Sequence, residues 1–71
     1  HVKDIMRLGG FEIEPPVGMG DLDWSRILAL LYHHNYHGYI AIEPHGPQWA
    51  KGEMRARHIL LSKRHIEQFL A

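Results

Sequence analysis

The feature that most limits how this chain can fold is a pair of short β-prone segments separated by one amphipathic helix pattern. Tyr39-Ile40-Ala41-Ile42 is continuous, rich in aromatic and β-branched residues and apolar on both faces, like a parallel strand covered from both sides. Glu43-Pro44 closes it, because proline has no N–H to give to a ladder. The opening segment, His1 to Met6, is too brief for a whole strand and reads as the end of one. Between the two, Trp24, Ile27, Leu28 and Leu31 recur at helical spacing behind Asp21 and Asp23, either of which can cap a helix start. Asn35 suits the left-handed turn that ends such a helix. Strand, helix, strand predicts a βαβ unit with parallel strands and a right-handed crossover.

The remaining segments fit around that unit. Leu8-Gly9-Gly10 reads as a break, and Phe11 to Gly20, with Pro15, Pro16, Gly18 and Gly20, as a structured loop. A second loop runs from His45 to Gly52, and a last helix from about Glu53 to Leu70 buries Met54, Leu61, Ile66, Phe69 and Leu70. Two parallel strands alone leave both edges open and belong inside larger α/β assemblies. A chain of 71 residues without cysteine has no disulfide to compensate for a small core. Residues 1–71 therefore read as a fragment of a larger α/β domain.

Charge narrows the partners. Eight basic residues balance eight acidic ones, and the local cluster of Lys51, Arg55, Arg57, Lys63 and Arg64 spreads around the solvated side of a helix. That argues against a nucleic-acid partner. No apolar run approaches the ~18 residues of a membrane span, so no membrane partner is expected. The lack of cysteine removes thiolate metal sites and fits a reducing, cytoplasmic compartment.

His1 and Glu43 end the two strand segments, 42 residues apart. Imidazole and carboxylate together suit a divalent ion such as Mn²⁺, Co²⁺ or Zn²⁺. On spacing alone, a terminal histidine and a solvated strand end is the commoner explanation. The residues around them add a resemblance. His1-Val2-Lys3-Asp4 is similar to the strand-seven motif of the xylose-isomerase-like TIM barrel superfamily, the sugar phosphate isomerases and epimerases. Pro16-Val17-Gly18-Met19-Gly20-Asp21-Leu22-Asp23-Trp24 resembles that family's Gly-x-Gly loop running into a helix, and Tyr36-His37-Gly38-Tyr39-Ile40-Ala41-Ile42-Glu43-Pro44 its strand-eight signature.

The resemblance implies the C-terminal βαβα portion of a (β/α)8 barrel: the end of strand 7, helix 7, strand 8 and helix 8. It makes His1 and Glu43 metal ligands, Glu43 also the catalytic acid or base, and Arg7 a substrate contact. Lys3 and Asp4 would line the site or brace it. The cofactor is a divalent ion (Mn, Co, Zn or Mg) and the partner a small sugar. The reaction needs a proton taken from beside a carbonyl while the charge developing on the enediolate is stabilised. Asp21 and Asp23 at the helix start would repel an anion, which favours an unphosphorylated substrate.

Other features carry less. Gly18-x-Gly20 lacks the third glycine of a dinucleotide turn, since position 23 is Asp. His33, His34 and His37 suit a helix C-terminus better than a zinc cluster. Trp49 covers the barrel mouth, meets a neighbouring subunit or simply packs. Two alternatives stand beside the isomerase. One is a nuclease of the endonuclease IV type, whose Asp-x-His pair is missing from Phe11 to Pro15. The other is a non-catalytic fragment that forms homo-oligomers through its exposed strand edges.

Overall fold

A computed structural model describes residues 1–71. The chain begins with a β-hairpin, β1 (Met6–Leu8) and β2 (Phe11–Ile13), paired antiparallel with Arg7 opposite Glu12 and Leu8 opposite Phe11. Gly9 and Gly10 make the turn, at φ 54° and 79°. Positive φ at both central residues is what a two-residue hairpin turn with the right twist requires, and glycine adopts it without strain. Helix α1 (Trp24–His33), a 3₁₀ turn (Pro47–Trp49) and helix α2 (Gly52–Glu67) complete the order.

The expected βαβα portion of a (β/α)8 barrel is not what the chain adopts. Its named strands are two, antiparallel, and lie where a break and a loop were expected. The two expected parallel strands shrink to one bridge between Val2 and Ile42. Val2 N–H donates to Ala41 O at 2.8 Å and Glu43 N–H to Val2 O at 3.0 Å. The physical reason is cover. A parallel ladder grows when neighbours bury both faces, and here Tyr39 is 96% exposed.

Helix α1 follows its sequence closely. Asp23 caps it, its carboxylate accepting from Arg26 N–H at 3.2 Å. Trp24 and Leu28 are buried, and Asn35 takes the left-handed conformation (φ 56°) just past the end. Helix α2 has Glu53 in its first turn and Arg64 and His65 in its last, both in the sense the helix dipole favours. Its buried residues are His58, Ser62 and Ile66, at i, i+4, i+8. Met54, Leu61 and Leu70, expected inside, are all more than 40% exposed.

The core is Val17, Trp24, Leu28 and Ile66, with Val2, Ile27, Leu31, Ile40 and Phe69 packed around it. Tyr32 Oη ties α1 to the end of α2 by donating to Phe69 O at 2.7 Å. Thirteen large apolar side chains stay exposed, against four in the core. The radius of gyration is 12.7 Å, where a compact domain of this length would have about 11 Å. No helix is long and apolar enough to cross a membrane.

Candidate functional site

The bridge between Val2 and Ile42 places the residues beside it together. His1 Nδ1 stands 3.5 Å from Glu43 Oε2. Both side chains remain open to solvent, His1 by 73% and Glu43 by 41%. Two donors about 2.1 Å from a tetrahedral ion lie roughly 3.4 Å apart. One nitrogen and one carboxylate oxygen at the observed separation therefore suit two positions of a divalent shell. No third His, Cys, Asp or Glu joins them. A cleft of about 310 Å³ opens beside His1, lined by Val2, Ile27, Leu31, Tyr36, Tyr39 and Ile40. That is at the small end of small-molecule sites.

The other expected site residues go elsewhere. Lys3 is exposed and makes no ion pair. Arg7 turns its Nε to Glu12 Oε2 at 2.8 Å, across the hairpin, while its backbone N–H donates to Asp21 Oδ2 at 2.9 Å. Trp49 does not stand free over an opening. It packs edge-on against His58, ring centres 5.2 Å apart, with its indole N–H buried and unpaired.

Asp4 braces the fold and does not line the cleft. It is fully buried. Its Oδ2 accepts from Gly18 N–H (2.9 Å), Gly20 N–H (3.0 Å) and Trp24 Nε1–H (2.8 Å). Its Oδ1 accepts from Ile5 N–H (2.8 Å) and Leu22 N–H (3.3 Å). Burial works to raise the pKa of this carboxyl, but the bonds from Trp24, Gly18, Ile5 and Leu22 outweigh it and hold the group below the usual carboxylate range. One ionised side chain thus organises the whole turn from Gly18 to Trp24. The Gly-x-Gly pattern has a local cause here, because a Cβ at Gly20 would run into the Asp4 carboxylate and the Ile5 carbonyl.

Two polar arrangements had no sequence signal. Glu14 Oε2 meets His45 Nδ1 at 2.9 Å, joining the two long loops across 31 residues. Ser62 Oγ accepts from Val17 N–H at 2.9 Å and lies 3.4 Å from His58 Nδ1. The i, i+4 spacing of His58 and Ser62 marks one helix face, but only their distant partners make that face a buried one. No protein-family model, curated protein or solved structure matches the chain.

Proposed function

We propose that this chain contributes two metal ligands and a proton-transfer carboxylate to a divalent-metal-dependent site that isomerises or epimerises a small, unphosphorylated sugar. The observation that carries the reading is the meeting of His1 and Glu43 at 3.5 Å beside an open cleft. The substrate class comes from the resemblance of the His1–Asp4, Pro16–Trp24 and Tyr36–Pro44 motifs to sugar isomerases and epimerases. Asp23 supports the unphosphorylated form, since its carboxylate already occupies the start of α1 where an anion would bind.

In this reading His1 Nδ1 and Glu43 hold an Mn, Co, Zn or Mg ion, which when bound supplies Lewis acidity toward the sugar oxygens. Glu43 takes the proton next to the carbonyl and returns it to a neighbouring carbon or to the opposite face. Positioned transfer of this kind is worth about 10²–10⁴ in rate. His1 orients the carboxylate, and Tyr36, Tyr39 and Ile40 flank the body of the sugar. Catalytic sites of this kind generally use three protein ligands or more. The chain alone is therefore expected to be inactive and to bind metal weakly. The reading places it in the cytoplasm, without nucleic-acid partners.

Calorimetric titration with Mn²⁺ or Zn²⁺ tests it, with the N-terminal amine acetylated so that it adds no ligand. The expected result is weak binding of one ion per chain, removed by His1→Ala and by Glu43→Gln and kept by His33→Ala on the far helix. Equal binding in all four chains would dismiss the pair as a metal site. A second reading has its own observation. The thirteen exposed large apolar side chains favour self-association, which is compatible with a catalytic role.

A further inference from the structure

The buried face of α2 carries a histidine where an apolar residue would be ordinary. His58 is 1% exposed. Trp49, from the 3₁₀ turn, packs against it at 5.2 Å with the rings inclined at 69°. One turn further along α2, Ser62 lies 3.4 Å from His58 Nδ1 and holds Val17 N–H. A single stretch of α2 thus secures both loops, one through Trp49 and the other through Ser62. We propose that His58 is a proton-operated latch: neutral, it keeps Trp49 and the 46–51 segment against α2, and protonated, it lets them go. This inference stands apart from the sugar reading.

The surroundings favour the neutral ring. Ser62 Oγ lies 3.4 Å from Nδ1, within reach of the neutral ring. No carboxylate forms an ion pair with His58. On its own helix the charged neighbour is Arg55, a cation, while Glu53 is taken by Arg57 at 3.1 Å. The 3₁₀ turn offers only the Trp49 indole, and of the 14–17 segment Glu14 is paired with His45 at 2.9 Å while Val17 N–H reaches this face on Ser62. Burial pushes the imidazole below its ordinary range, a hydrogen bond with its own backbone works against that, and Arg55 adds to the lowering.

The loop is built to leave. Gly46 (φ 105°) and Gly52 (φ 69°) bound the segment that carries Trp49, and both hold conformations that glycine changes at little cost. The Trp49 indole N–H is buried without an acceptor, so release gives it water. The sign follows from linkage. The freed loop leaves His58 with an ordinary pKa, higher than in the closed state. As pH falls below about 6.5, the open form takes up the proton first, and release grows by about tenfold per pH unit until the closed form also protonates.

The two indole N–H resonances of the full chain report this directly between about pH 7.5 and 5, the range where histidine titrates. Trp49 and the amides of 46–51 should shift with the same midpoint as the His58 ring carbons, while Trp24, bonded to Asp4, stays in place. His58→Phe keeps the ring packing and should abolish the Trp49 shift, whereas His45→Asn and His65→Asn should retain it. A Trp49 shift that persists in His58→Phe overturns the latch. If that variant does not fold, the wild-type ring decides: titration of His58 with Trp49 unmoved, or no titration in this range, overturns it equally.

Discussion

Replacing Asp4 with asparagine keeps the shape of the side chain and removes what the fold uses. The carboxylate accepts five hydrogen bonds, three on Oδ2 and two on Oδ1. An asparagine amide must turn its NH₂ to one side or the other. With the nitrogen at the Oδ1 position it faces Ile5 N–H and Leu22 N–H, and at the Oδ2 position it faces Gly18, Gly20 and Trp24. Two stranded donors are the least damaging outcome, costing about 2–6 kcal/mol together in a buried setting. The remaining three bonds also lose the strengthening that a charge gives them. A 71-residue domain has about 4–10 kcal/mol of stability in all.

Asp4→Asn should therefore lose at least about 3 kcal/mol, seen as a fall of roughly 2–3 M in the urea midpoint followed by circular dichroism. Acid should tell the same story. The folded carboxyl sits below its ordinary value, so the unfolded chain takes the proton first, near pH 3.9. The stability it contributes is complete above that pH and is lost as pH falls through the folded pKa. The Asp4→Asn chain should lack this limb. A loss under about 1 kcal/mol, with the Trp24 indole resonance unmoved, would refute the bracing role, since five real bonds cannot be replaced so cheaply.

Gly20→Ala should lose stability comparably to Asp4→Asn, because the new methyl meets the Asp4 carboxylate and the Ile5 backbone, and backbone cannot swing aside. Gly9→Ala, where a Cβ meets nothing but φ is 54°, should cost only about 1 kcal/mol in the same urea titration. Sedimentation at several concentrations should show the wild-type chain associating as concentration rises. A concentration-independent monomer with cooperative unfolding would count against self-association through the exposed apolar residues.

How far the sequence could be read depended on whether each element carried its own partners. Helix α1 does: cap, apolar face and left-handed exit are all local, in Asp23, Trp24, Leu28 and Asn35. The hairpin is also local: Leu8-Gly9-Gly10 reads as a break on its glycines alone, yet Gly9-Gly10 lies between the alternating pairs Met6/Leu8 and Phe11/Ile13, which is a hairpin signature. Helix α2 lies where its pattern predicts but ends at Glu67, short of Leu70, and its buried face is only partly the predicted one. Of the positions hydrophobicity predicts as buried, Ile66 is in the core and Phe69 packs against it, but Met54, Leu61 and Leu70 are exposed. The rest of the buried line is a histidine and a serine whose partners, Trp49 and Val17, come from other segments. The same holds at the candidate site. The sequence predicts His1 and Glu43 as ends of two parallel strands, which the structure reduces to one bridge, and the Glu14–His45 pair joins two loops that no periodicity relates.

His1 and Glu43 lie on segments that share one isolated bridge. Only two backbone hydrogen bonds hold those residues in register. What fixes the segments carrying them lies deeper and outside the site. Asp4, three residues after His1, ties the first segment to the turn before α1. Trp49, six residues after Glu43, ties the second to α2 through His58. A pair resting on one bridge but anchored on both sides by buried polar residues keeps its spacing only while both anchors hold. Loosening the Asp4 anchor should therefore widen the His1–Glu43 spacing, although Asp4 touches neither member of the pair.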